Sequence, residues 1–127
     1  MNLQEVTRTY DFTGKTIAIT GGGGVLCGEM AKCLAGCNAN IVILDREVSL
    51  GEKVLHSLSG TKGKHRVFFI DVLDKVKVQE TADKTFAEYG KIDILINFTL
   101  KWNTPLDICS PCFVSHNFQV KKQFIRV

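Results

Sequence analysis

The sequence predicts an α/β fold, a doubly wound parallel sheet with helices on both faces. Two observations carry that prediction. Short apolar runs, KTIAIT, IVIL, VFFI and IDILI, are separated by longer stretches with helical periodicity. The runs are apolar almost throughout, as strands covered on both faces must be; a sheet with one wet face would alternate. The order is therefore β-α-β-α-β-α-β. Right-handed crossovers then give the strand order 3-2-1-4, a partial three-layer doubly wound sheet.

Each element has its own signal. Lys15 to Thr20 is the first strand. Val25 to about Cys37 is a helix, with Leu26, Met30, Cys33 and Leu34 at helical spacing. Ile41 to Leu44 is the second strand. Glu47 to about Ser59 is the next helix, where Leu50, Val54 and Leu58 repeat four apart with Leu55 beside them. SGTKGK, from Ser59 to Lys64, is the turn that ends it. Val67 to Ile70 is the third strand. Asp74 is placed to cap a helix running to about Tyr89, with Val78, Ala82 and Phe86 along one side and Gly90 after its end. Ile92 to Ile96 is the fourth strand. From Phe98 the regular pattern stops, and residues 98–127 read as an irregular tail.

The totals exclude several classes. The 127 residues suffice for one domain and are too few for two ordinary ones. An apolar fraction of 45% is that of a globular chain with a core. The net charge is +3, and the basic residues are scattered apart from Lys121 and Lys122, so no basic stripe marks a nucleic-acid partner. The start MNLQEVTRTYDF lacks the apolar segment of a signal peptide, and no run approaches the roughly 20 residues of a membrane span. The expectation is a cytoplasmic protein with no membrane partner. The five cysteines, an odd number without a secretory signal, are expected as reduced thiols. Cys33 and Cys37, four apart on one helix, read as packing residues.

The stretch TGGGGVLCG, Thr20 to Gly28, joins the first strand to the first helix. In such a fold this turn lies at the carboxyl edge of the sheet, where ligands bind. Gly21, Gly22 and Gly24 let backbone N–H groups approach a pyrophosphate with no Cβ in the way. Val25 and Leu26 open the helix, whose free N–H groups and positive dipole end face the same anion. No lysine follows the run, which disfavours a phosphate loop ending in Gly-Lys-Ser/Thr. Asp45 ends the second strand, 24 positions after Gly21. A carboxylate there accepts hydrogen bonds from the ribose hydroxyls of an adenosine and repels a 2′-phosphate, so it favours NAD over NADP. Arg46 beside it is the kind of residue that can hold a 2′-phosphate. The plainer reading of Asp45 is a solvated strand-end acid or a helix cap. Asp71 and Val72 end the third strand, where a carboxylate can receive an adenine amino group with Val72 against the base. Their plainer reading is a cap for the following helix, for which Asp74 is better placed.

Together these residues resemble the short-chain dehydrogenase/reductase family. Its pieces are a Thr-Gly-x-x-x-Gly-x-Gly turn, an acid ending the second strand, an Asp-Val ending the third, and an asparagine motif ending the fourth. Here they read TGGGGVLC, LDR, IDV and ILIN, after an FTGK lead-in from Phe12 to Lys15. The resemblance covers about residues 11–97. It implies a Rossmann-like NAD-binding half-domain at residues 1–97. It implies an NAD-dependent oxidoreductase whose small-molecule substrate is a secondary alcohol or ketone. Asn97 matches the family asparagine that maintains the active-site architecture on the nicotinamide side. GGGGVLCG followed by EMAKCLA looks most like the sugar-acid branch, the mannonate or fructuronate oxidoreductases.

The departures are specific. Val25 and Cys27 stand at the second and third glycine positions of the family turn. A Cys27 thiol there is expected to turn away from the pyrophosphate. Phe98 and Thr99 stand where small residues let the cofactor's ribose pass, so a Phe98 ring is expected to crowd it. The family's acid/base tyrosine is followed four positions later by a lysine. Here Tyr10 is followed four later by Gly14, and Tyr89 by Asp93, so no catalytic residue is assigned. The resemblance therefore implies an amino-terminal half that keeps only the dinucleotide-binding part. A non-catalytic NAD-binding module and a non-functional truncated, spliced or frameshifted product are the alternatives. With no strands beyond the fourth, its outer edge is expected to be exposed and to invite self-association.

CSPCFVSH, Cys109 to His116, resembles half a zinc site or a redox pair. Zinc takes four ligands, and no second CxxC or His pair lies nearby, so no metal is assigned. Trp102 and Phe113 read as packing aromatics of the tail.

Overall fold

The computed structural model describes residues 2–98. The elements run α1 (Leu3–Thr9), β1 (Thr16–Thr20), α2 (Val25–Gly36), β2 (Asn40–Asp45), α3 (Val48–Ser57), β3 (His65–Phe69), α4 (Lys75–Tyr89) and β4 (Ile94–Asn97). The four strands form one sheet in the order β3-β2-β1-β4, and every neighbouring pair is parallel. This is the predicted doubly wound architecture. The tail from residue 99, with Cys109, Cys112 and His116, lies outside the described residues.

Strand alternation divides the core in two. Ile17, Ile19, Ile41 and Ile43 face α2 and α3 and meet Cys27, Ala31, Ala35 and Leu58 there. Ala18, Val42 and Leu44 face the other way and meet Ile70, with Val78 and Tyr89 of α4 packed against them. The pleat sends successive side chains to opposite faces, so an all-apolar strand builds both layers at once. The first two crossovers carry α2 and α3 on one face as the chain steps from β1 to β3. The third returns past β1 to β4 and puts α4 on the other face. That reversal is what right-handed crossovers require on either side of a switch point.

Three readings of the sequence need correction. The first concerns α2, which buries Cys27, Gly28, Ala31 and Ala35 rather than the larger set expected, leaving Leu26 57% exposed. Small residues line its inner face because the helix comes close: a Cβ on Gly28 would sit 3.1 Å from Cγ2 of Val54. The second is α4, which buries Thr81 and Thr85 and leaves Phe86 44% exposed. Threonine is tolerated inside because its hydroxyl bonds back to the helix: Thr85 donates to the Thr81 carbonyl at 2.8 Å. The third is α1, which the sequence reading did not assign. Its signal is a capping box, with Asn2 Oδ1 accepting from Glu5 N–H and Glu5 Oε2 accepting from Asn2 N–H, both at 2.9 Å.

The remaining ends follow from local chemistry. Asp74 accepts from the N–H groups of Val76 and Lys77 and starts α4, as expected. Gly90 ends it with φ 75°, a left-handed conformation that a side chain resists. β4 begins at Ile94 rather than Ile92, because Asp93 turns aside: its carboxylate accepts the Thr16 N–H at 2.8 Å, and Lys91 lies 3.3 Å away.

Candidate dinucleotide-binding site

Parallel strands end on one edge. Register pairs Thr20 with Leu44 and with Asn97, and Asp45 with Phe69, so the glycine run, Asp45, Asp71 and Asn97 all lie along the carboxyl edge of the sheet. These are the positions that the sequence singled out.

The four glycines serve different ends. Gly21 has φ +66°, and a Cβ on it would press on the carbonyl oxygen of Phe98. Gly22 is buried on β2, where a Cβ would lie 2.9 Å from Cγ2 of Ile43. Gly23 fits against the first turn of α3, where a Cβ would lie 2.8 Å from the Gly51 nitrogen and from Leu50 Cβ. Gly24 is exposed and is the N-cap of α2.

The amides of the run are largely engaged within the chain. Gly22 N–H reaches the Leu44 carbonyl at 3.4 Å, and Gly24 N–H donates to the Gly21 carbonyl at 3.0 Å. Gly23 N–H donates to Asp45 Oδ2 at 2.9 Å. The donors left to an anion therefore lie just beyond, at Val25 and Leu26. Helix geometry leaves their N–H groups without an acceptor in their own helix, no side chain caps them, and no acid sits in the first turn. Val25 is 89% exposed, so the backbone there is open to a ligand. Cys27, two residues on, points inward at 1% exposure. Burial first, and then the Asp45 charge, push its thiol pKa up, so it stays a neutral thiol of the core.

Asp45 is half-buried at the end of β2. Besides Gly23 it accepts the N–H of Glu47 at 3.0 Å through its other oxygen. A carboxylate offers about four lone-pair sites, so roughly two remain for ribose hydroxyls. Arg46 is exposed next to it. Asp71 closes a local turn, accepting from Leu73 N–H at 3.0 Å, and it leaves the capping of α4 to Asp74. Val72 packs against the cluster on the α4 side.

Asn97 is held by Thr20, whose hydroxyl sits between β1 and β4. Phe98 N–H donates to Thr20 Oγ1 at 3.0 Å, and the hydroxyl donates to Asn97 Oδ1 at 2.5 Å. With its oxygen engaged, the Asn97 amide has its NH2 available to the edge. The sequence reading missed Thr20 and Gly23 as members of the site; the Thr-Gly start of the run and its proximity to a strand-end acid are the signals for them. The Phe98 carbonyl lies against Gly21, and the residue is 44% exposed.

An uncapped helix start, a glycine at the N-cap and a carboxylate three positions before a second helix fit a dinucleotide: an anion centre beside an acceptor for hydroxyls. Among the described residues, no helix is long and apolar enough to cross a membrane.

Known proteins resemble this chain in sequence and fold. Residues 15–105 match the short chain dehydrogenase family. A D-threitol dehydrogenase of Mycolicibacterium smegmatis is 36% identical over 96 residues, 74% of this chain and 37% of that protein. An uncharacterised oxidoreductase of Haemophilus influenzae is 35% identical over 92 residues, 72% of this chain and 32% of its own length. A solved structure from Haemophilus, provisionally named a D-mannonate oxidoreductase and holding NAD, superposes with a TM-score of 0.67 at 33% identity, covering 71% of this chain and 32% of that one. The match thus spans about a third of the length of these relatives. Sequence, strand order and the glycine-rich edge agree: the chain belongs to the short-chain dehydrogenase family.

Proposed function

We propose that this chain binds NAD along the carboxyl edge of its sheet, as the cofactor half of an oxidoreductase for a secondary alcohol or ketone. The observation that carries the reading is the pairing of the uncapped α2 start with the Asp45 carboxylate, joined through Gly23. In this reading Val25 and Leu26 N–H groups hold the pyrophosphate, with Gly21, Gly22 and Gly24 shaping the turn. Asp45 accepts the adenosine ribose hydroxyls, and its charge disfavours NADP even with Arg46 alongside. Asp71 and Val72 receive the adenine, and Asn97 faces the nicotinamide side. The cofactor supplies the hydride chemistry; these residues bind and orient it. The names of the relatives, a threitol dehydrogenase and a mannonate oxidoreductase, support a polyol or sugar acid as the substrate class.

A second reading, an NAD-binding module without turnover, is favoured by one observation. Neither tyrosine of the sequence has a lysine four residues later, so the proton transfer that accompanies hydride transfer has no assigned donor. In this reading residues 1–97 are the binding half and residues 98–127 a tail, of which the stretch to residue 105 still falls within the family match. Calorimetry with NAD and NADP tests the binding. Uptake of NAD that Asp45→Ala abolishes supports it, and no heat at millimolar NAD refutes it. An absorbance assay for NADH across polyols and sugar acids separates the two readings: no turnover by the 127-residue chain is the result expected for the module.

A further inference from the structure

We propose that Asp45 is a positioning residue for the glycine turn as well as a ribose acceptor, and that it holds the turn in shape before any ligand arrives. This deepens the dinucleotide reading and rests on it only for the binding arm of the test.

The geometry is a two-sided clamp. One carboxylate oxygen takes Gly23 N–H from the turn and the other takes Glu47 N–H from the start of α3. Gly23 in turn lies so close to α3 that a Cβ would meet the Gly51 nitrogen and Leu50 Cβ at 2.8 Å. The carboxylate is thus the polar link in a joint otherwise made of close backbone packing. Beyond the joint, Gly24 occupies the N-cap position of α2, and the anion donors of Val25 and Leu26 follow directly. Moving Gly23 moves them. Both bonds are charge-assisted N–H to carboxylate bonds, the stronger kind. An amide in place of the acid cannot serve both donors, because its NH2 would face one of the two N–H groups.

The consequence is a coupling that a pure ribose contact lacks. Removing the carboxylate should weaken ligands that never touch it. The first experiment needs no ligand. In a pH titration of the 15N-labelled 127-residue chain, the amide protons of Gly23 and Glu47 should shift together with the Asp45 carboxyl carbon, and Asp45→Asn should abolish that movement. A Gly23 amide that ignores Asp45 protonation in the unaltered protein overturns the proposal, whether or not the variant folds.

The second experiment compares ADP with 2′,3′-dideoxy-ADP, which keeps the adenine and the pyrophosphate but has no ribose hydroxyl for Asp45. If Asp45 acts on the turn, Asp45→Asn weakens both, the dideoxy compound by about tenfold, in keeping with the loss of one such bond. Equal affinity of parent and variant for the dideoxy compound overturns it. A chain that binds neither ADP nor NAD refutes the functional reading, and the titration still decides the clamp by its own result.

Discussion

Gly21→Ala is the sharpest test of why the run contains glycine. Two costs combine at this position. The residue sits at φ +66°, where a Cβ costs roughly 1–2 kcal/mol. The new methyl would also press on the Phe98 carbonyl oxygen, a backbone atom held in place by Phe98 N–H on the Thr20 hydroxyl. Forcing that apart costs about 1–3 kcal/mol by analogy with overpacked cores. The expected loss is therefore about 2–5 kcal/mol, a large share of a stability of order 5–15 kcal/mol. Gly14 supplies the control. Its φ is +76°, and a Cβ on it would meet nothing within 4 Å, so Gly14→Ala carries the backbone cost alone. Urea unfolding followed by circular dichroism gives both values, with m-values compared to exclude a change in the unfolded state. If the two variants lose the same stability, the approach of the Phe98 carbonyl is not what demands glycine at position 21, and the reasoning fails.

Three other outcomes are expected. Thr20→Val keeps the shape of a 2%-exposed residue but leaves Phe98 N–H and Asn97 Oδ1 without their partner; unfolding by urea should show a loss of about 1–3 kcal/mol, and a neutral result would mean that the bridge between β1 and β4 is not needed. His65 is held neutral at the opposite end of the sheet: Ile41 N–H donates to its Nδ1 at 3.2 Å, so Nε2 carries the proton toward Thr61 Oγ1 at 2.6 Å, and burial lowers its pKa. The unfolded chain then takes up the proton first, so stability is full above the unfolded value of about 6.5 and falls as pH drops below it, by at most about 1.4 kcal/mol per pH unit. His65→Gln should flatten that stretch of the stability-against-pH curve, and an unchanged slope would remove His65 as its cause. Finally, β4 pairs only with β1 among the described strands, and Ile94 and Leu95 are 38% and 40% exposed. We therefore expect association that grows with concentration in sedimentation velocity, and a monomer at all concentrations would show that this edge is covered.

Much of the fold was legible because it rests on local chemistry. The apolar strands, the Asp74 cap and the Gly90 stop are written in short stretches of sequence; the cap and the stop form where they were read, while the third strand runs His65–Phe69 rather than Val67–Ile70 and the fourth starts at Ile94 rather than Ile92. The inner faces of α2 and α4 were not legible. Helical spacing finds a stripe, but which stripe turns inward depends on what the helix packs against: Gly28 lies against Val54 of α3, and Ala31 and Ala35 join the core in place of Leu26 and Met30. At the candidate site the roles of Thr20 and Gly23 were not legible either, because they depend on bonds across the strand ends. Asp45, Asp71 and Asn97 could be chosen as strand-end residues from sequence alone.

By itself, then, the sequence determined the parallel sheet, its strand order and the edge on which a dinucleotide would lie. Only the tertiary structure decided what each glycine is for. Gly22 and Gly23 yield their space to β2 and α3, Gly21 yields to the Phe98 carbonyl, and Gly24 alone of the four is exposed, at the start of α2. The physical reason is that a missing Cβ has meaning only against the atoms that fill its place. At Gly21, Gly22 and Gly23 the nearest of those atoms belong to Phe98, Ile43 and Gly51, residues distant in the chain that the strand register brings together.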